Sequence, residues 1–174
     1  RRPRRRVSPG PVTRLLVLTA LDLEARGLAR RLGLPPVAGS AWPHFRAGAL
    51  EVIGVGLRAS ELARRTAAAR PSSLVVSAGA CGALSPDLAE GDLVVPEVVL
   101  TPTGVRYPVA EVPDLARTGT LLSVSDVVDS PAAKARFWLE TGALAGDMES
   151  AAILAWAEGR GWPGAVVRAV SDTA

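Results

Sequence analysis

Cysteine is all but absent from this chain. Cys81 stands alone among 174 residues, which excludes an internal disulfide and a cysteine-based zinc site and suits a reducing compartment, so a cytoplasmic location is expected. Histidine is as scarce. His44 is the single one, and without a Cys, His or carboxylate at ligand spacing no metal site is supported and no Ser-His-Asp set is evident. Within Ala41-Trp42-Pro43-His44-Phe45 it reads as a surface residue on a hairpin or loop. Every apolar run is broken by charge, Gly or Pro well before the roughly 18 to 20 residues that span a bilayer, so no stable membrane insertion is expected. Lysine is reduced to Lys134 among 20 cationic residues. With Ala, Gly, Pro and Arg abundant, that reads as codon bias from a GC-rich genome, and no function is read from it.

What the chain does contain is globular: 48% hydrophobic and 21% charged residues, enough for one sizeable core and a single domain over residues 12–174. The formal net charge of +3 misleads, because five of the cations lie in Arg1 to Arg6 and the body that follows is slightly acidic. A duplex-reading surface needs its cations clustered on the folded face, so no nucleic-acid partner is expected. Residues 1–11 read as a basic, unstructured arm. The apolar run behind them, Leu15 to Ala20, is too short for a signal-peptide core.

Leu15 to Thr19 is a branched-apolar run of the kind buried on both faces of a sheet. The stripe Leu21, Ala25, Leu28, Ala29, Leu32 then predicts a helix, ended by Gly33 and the Pro35-Pro36 pair. Further strands are predicted at 50–55, 74–78, 93–100, 121–124, 143–145 and 165–170. Further helices are predicted at 59–69, at 131–140 with Ser130 as N-cap and Pro131 in the first turn, and at 148–158. Strands alternating with helices imply an α/β layered fold around a largely parallel sheet. The Pro-rich stretch from Pro96 to Pro113 reads as a long loop. A buried-type strand that runs into Ser171-Asp172-Thr173-Ala174 lacks a covering helix, so a C-terminal helix is expected to be missing.

In open α/β sheets the ligand crevice lies beyond the carboxyl ends of the strands. Four strands deliver small or polar residues there: Glu24, the Gly54-to-Arg58 loop, the Gly79-to-Gly82 loop, and Ser171-Asp172. Glycines after a strand also serve turns and helix packing. Neither loop fits GxGxxG and nothing fits GxxxxGK[ST], which argues against dinucleotide and nucleoside-triphosphate binding. Asp147-Met148-Glu149-Ser150 opens the last helix. Dipole capping accounts for Asp147, whereas Glu149, on a helix apolar nearly all round, would be buried and in need of partners such as ligand hydroxyls. For Asp172 the competing reading is an N-cap.

Taken in order, LTALDLEA (18–25), VVSAGACGALSPDLAEGDLVVP (75–96), GDMESAAILAWA (146–157) and VVRAVSD (166–172) resemble the nucleoside phosphorylase and methylthioadenosine/S-adenosylhomocysteine nucleosidase superfamily. These blocks run almost the whole chain, and their order is more specific than any one of them. The RYP at Arg106 to Pro108 and VVDSPAAKA (127–135) look most like the hopanoid-associated phosphorylase-like branch, thought to remove adenine from adenosylhopane. The resemblance implies a three-layer α/β/α sandwich with a central, mostly parallel, mixed sheet. It also implies no cofactor, a small-molecule nucleoside partner, and a homodimer or higher homo-oligomer.

The same resemblance assigns Glu24 as the general base that activates water, and Asp172 as the acid that protonates or hydrogen-bonds purine N7. Met148 would pack on the sugar and Glu149 accept its hydroxyls, with Ser171, Gly79 and Arg168 completing the substrate contacts. That spacing of acids suits an oxocarbenium-like sugar, which needs a negative group nearby, a nucleophile on one side and a proton donor at the leaving base. Arg168, inside an apolar strand, is expected to pair with Glu24, Glu149 or Asp172.

Where phosphorolytic relatives carry an arginine and a serine around the glycine loop, this chain has Ser77 and Ala80. That leaves Arg58 as the candidate phosphate ligand and favours water over phosphate as nucleophile. The purine-stacking aromatic falls near Val128, with Tyr107 as the alternative. Val98, Val99, Leu100, Val105 and Tyr107 in the long loop predict either a pocket for an apolar 5′ substituent or a subunit interface. The rival reading is a non-catalytic nucleoside-binding relative, which would release no adenine.

Overall fold

Branched apolar residues build the centre of one ten-stranded mixed sheet in a computed structural model that describes residues 13–174. The expected basic arm lies outside the described residues. In chain order the first elements are β1 (Leu15–Thr19), α1 (Asp22–Arg31), β2 (His44–Ala47), β3 (Leu50–Gly54), α2 (Leu62–Arg65) and β4 (Leu74–Ala83). Then come β5 (Leu93–Val94), β6 (Val98–Leu100), β7 (Arg106–Pro108), β8 (Thr120–Ser123) and α3 (Pro131–Thr141). The last are β9 (Ala145–Asp147), α4 (Ser150–Glu158) and β10 (Gly164–Asp172).

The sheet runs β2-β3-β1-β4-β9-β8-β6-β7, and β10 pairs with both β4 and β5. Strands β3, β1, β4 and β10 are mutually parallel where they pair, as are β6, β8 and β9, while β4 meets β9 antiparallel. Because register partners share a face, Leu16, Leu18, Ile53 and Val75 pack with Ala59, Leu62, Ile153 and Ala157. Val17, Val52 and Val76 belong to a second cluster with Ala25 of α1. Helices therefore cover both faces, giving the three-layer arrangement. Each fully buried Leu or Ile contributes about 1.5–3 kcal/mol by leaving water. Helix α3 begins as expected, with Ser130 Oγ accepting the Ala133 N–H at 3.2 Å, and sets Phe137 and Trp138 against Leu84, Leu122 and Ala143. Among the described residues no helix is long and apolar enough to cross a membrane.

Several expectations need correction. The strand expected at 93–100 is two, because Pro96 cannot donate to a ladder, and β5 pairs with β10 while β6 pairs with β7 and β8. The expected loop from Pro96 to Pro113 contains the β6–β7 hairpin. Val98, Val99, Leu100 and Tyr107 are sheet residues, with Val99 fully buried and Tyr107 packed on the core, whereas Val105 lies outside the strands and is exposed. The helix expected at 59–69 shrinks to a 3-10 turn at Leu57–Ala59 and the four-residue α2, since Arg58 and Ala59 adopt φ of 55° and 54° and interrupt it.

His44 is no surface residue. It is buried on the expected hairpin, with its Nε2 2.6 Å from Glu51 Oε1. Arg46 Nη2 donates to the same oxygen at 2.5 Å, and the Arg70 amide donates to Oε2 at 3.3 Å. Burial alone would raise the Glu51 carboxyl. The hydrogen bonds from His44, Arg46 and the Arg70 amide outweigh it and hold the group down at about 2.

Candidate active site

The carboxyl ends of β4 and β10, the end of β9 and the start of α4 frame a pocket of about 200 Å³. Gly82, Val128, Lys134, Met148, Glu149 and Asp172 are among its lining residues. The site thus lies where parallel strands end, as the topology requires.

Glu149 precedes the first turn of α4 and is 5% exposed. Its Oε1 accepts the Arg58 N–H at 2.9 Å. Burial pushes the carboxyl above its ordinary range, although the Arg58 amide and the Arg168 charge oppose the shift. The turn that aims this amide is strained: two consecutive non-glycine residues, Arg58 and Ala59, sit in the left-handed region. Gly56 before them has φ 82°, and a Cβ there would lie 2.9 Å from Ser60 Oγ, so the approach to the turn requires glycine.

Beneath the pocket, Arg168 is 1% exposed. Its partner is Asp147, not Glu24, Glu149 or Asp172: Nε and Nη2 donate to Asp147 Oδ2 at 2.9 and 2.6 Å. Nη2 also donates to Ser77 Oγ at 2.7 Å and Ser150 Oγ at 3.0 Å. Asp147 Oδ2 accepts the Ser150 N–H at 3.0 Å as well, so the capping role expected of it is combined with an ion pair. Arg168 underpins the pocket and does not line it. Ser77, one of the two departures at the glycine loop, is occupied by this network.

Glu24 stands behind the pocket wall. Its Oε1 accepts the N–H of Ala80, a lining residue, at 3.2 Å, and its Oε2 accepts the Leu21 N–H at 2.9 Å. A Cβ on Gly79 would stand 2.8 Å from Arg168 Nη1 and 2.9 Å from Glu24 Oε1. Only glycine lets both charged groups approach β4 so closely.

At the end of β10, Ser171 Oγ lies 3.0 Å from Asp172 Oδ1 and 3.2 Å from the Cys81 carbonyl. The Lys134 ammonium donates to Asp172 Oδ2 at 2.5 Å and also to the Thr173 carbonyl. Sequence reading assigned Lys134 no role; Pro131 and Ser130 located its helix, but nothing local marked its side chain as inward-facing. The Arg58 guanidinium is outside the lining and meets Asp126 Oδ1 at 3.3 Å. Val128 lines the pocket and Tyr107 does not. Burial raises the Cys81 thiol to about 12. Among the described residues no three His, Cys, Asp or Glu side chains are grouped to hold a metal.

Residues 110–174 match the sequence family described as the Phosphorylase superfamily. The matched segment carries Lys134, Asp147, Met148, Glu149, Arg168 and Asp172, whereas Glu24, Arg58 and Gly79 come from outside it. No curated protein matches the chain by sequence.

Its fold is shared with solved structures of nucleosidases. A mutant of the Helicobacter pylori MTAN with 5′-methylthioadenosine in the active site superposes with a TM-score of 0.77 at 17% identity, over 92% of this chain and 85% of that one. The apo 5′-methylthioadenosine nucleosidase of Arabidopsis thaliana gives 0.77 at 19% identity, over 94% and 83%. A futalosine hydrolase mutant of Helicobacter pylori gives 0.72 at 18% identity, over 92% and 90%. At these identities the likeness is one of fold.

Proposed function

We propose that this chain is a member of the phosphorylase superfamily and a purine N-glycosidase that hydrolyses the glycosidic bond of an adenine nucleoside. The charge of the pocket carries the reading. Asp126, Asp147, Glu149 and Asp172 line it, and its one lining cation, Lys134, is tied to Asp172. Among the described residues Glu149 is the one of the four without a cationic partner; it favours a sugar that becomes cationic as its bond breaks, and the lining holds no unpaired cation for a phosphate dianion. The shared fold with proteins named as nucleosidases supports the same reading.

In this mechanism Glu24 takes a proton from the attacking water, which requires its carboxylate to leave the Ala80 N–H that holds it behind the pocket wall, and Glu149 accepts the sugar hydroxyls while offsetting the oxocarbenium charge. Met148 packs on the sugar, and Ser171 and Asp172 address purine N7. The electron pair of the broken bond leaves on the base, and a proton at N7 makes it a neutral leaving group. Phosphorolysis would need Arg58 to abandon Asp126 and enter the pocket. An apolar 5′ substituent, with adenosylhopane as the extreme case, is compatible with Val127 at the lining, which is 66% exposed.

The test is adenine release from adenosine and a 5′-alkyl adenosine, with and without phosphate. Hydrolysis predicts adenine and free sugar at equal rates in both buffers, and an apolar 5′ site predicts a higher kcat/KM for the alkyl substrate. Obligatory phosphate with a sugar 1-phosphate product would overturn water as nucleophile. Binding without release would leave a nucleoside-binding protein.

A further inference from the structure

Lys134 is the chain's only lysine, and it is 4% exposed. Taking an ammonium out of water is costly unless it is paired, and helix α3 does not need it, being started by Ser130 and Pro131 and ended by Gly142. The side chain instead lines the pocket, with its Nζ 2.5 Å from Asp172 Oδ2 and a second hydrogen bond to the Thr173 carbonyl. The other titratable groups lining the pocket are Asp126, Asp147, Glu149 and Cys81. Asp147 is paired with Arg168, Asp126 with Arg58, and Glu149 accepts the Arg58 amide. Asp172 is therefore the acidic partner of Lys134.

Resting on the N-glycosidase reading above, we propose that Lys134 is the proton reservoir of Asp172: the proton delivered to purine N7 originates on the Lys134 ammonium and passes through the Asp172 carboxylate. As the glycosidic bond breaks, its electron pair goes to the purine. Nζ gives its proton to the Asp172 carboxylate, which passes a proton to N7, leaving a neutral amine beside an ionised carboxylate. Glu24 takes the proton released by the attacking water. One proton is given and one is taken per turnover, and exchange with solvent resets both ends. The advantage is position: the ammonium is hydrogen-bonded to the carboxylate, so a proton stands one short transfer from Asp172 throughout the reaction.

The experiment compares the wild type with K134M and K134R on adenosine and on a nitrophenyl riboside, whose leaving group departs as a stable anion and needs no proton. Rates are read from about pH 5 to 9 alongside thermal melts. K134M is expected to lose on the order of 10² to 10³ in kcat/KM on adenosine. It should keep cleaving the nitrophenyl riboside. K134R keeps the positive charge but does not release its proton, and is expected to remain slow on adenosine. Rescue by K134R, or equal loss on both substrates at every pH, would reduce Lys134 to a brace for Asp172 and overturn the proposal. If K134M fails to fold, K134R decides alone. A wild type that cleaves neither substrate would overturn the N-glycosidase reading itself, and the proposal with it.

Discussion

A methyl group added at Gly82 would stand 3.1 and 3.2 Å from the two carboxylate oxygens of Asp172, close enough that the side chain must shift by a few tenths of an ångström. Gly82→Ala is therefore expected to lower kcat about 10-fold or more while leaving the melting temperature nearly unchanged, as activity assays and thermal melts would show. Glu149 carries an opposite trade. Burial raises its carboxyl above the unfolded value, so the folded state binds the extra proton and stability is lost as pH rises from the unfolded value through the folded one. Glu149→Gln is expected to raise the melting temperature at neutral pH, with the gain vanishing in acid, and to abolish turnover. Cys81, with its thiol held up at about 12, is expected to resist alkylation at about pH 8 in the folded protein and to react once the protein is unfolded.

At the scale of elements, the β2–β3 hairpin stores its stability in one carboxylate. Glu51 is held at about 2 against a usual 4.5, so its contribution is present at neutral pH and fades as pH falls from about 4.5 toward 2. Glu51→Gln should cost about 3 kcal/mol at neutral pH, because His44 and Arg46 lose their partner; paired denaturant titrations at pH 7 and in acid should show that difference shrinking. The cross-strand signal was present, since His44 and Arg46 alternate on β2 and Arg46 lies opposite Glu51, but a single histidine without ligand spacing reads as surface. Elements with continuous apolar runs or clear caps were legible within a residue or two: β1 from Leu15 to Thr19, and α3 from its Ser130-Pro131 start. The 57–65 segment was not, because its helix is interrupted by positive φ at Arg58 and Ala59, which propensity does not foresee. The hairpin within 96–113 was hidden by its prolines.

For the whole molecule, the candidate site was legible where chemistry sits at a strand end. Glu149 and Asp172, which line the pocket, could be named because each flanks a strand whose carboxyl end opens onto it, whereas Glu24, named on the same ground, stands behind the wall. The pairings Arg168–Asp147 and Lys134–Asp172 could not, because they depend on β4 lying beside β10 and meeting β9, and on α3 turning Lys134 inward. Neither sheet order nor helix rotation is written in local periodicity. The pocket brings Glu149 together with the paired Lys134 and Asp172, which under the proposed function face the sugar and the purine. Its most direct test is the rate of adenine release from adenosine in phosphate-free buffer by the wild type and by Asp172→Asn, with nucleoside affinity measured on both. The wild type is expected to release adenine without phosphate, and Asp172→Asn to lose about 10²-fold or more in turnover while binding the nucleoside equally well. Undiminished release by Asp172→Asn, or none by the wild type, would contradict a purine-cleaving site at the end of β10.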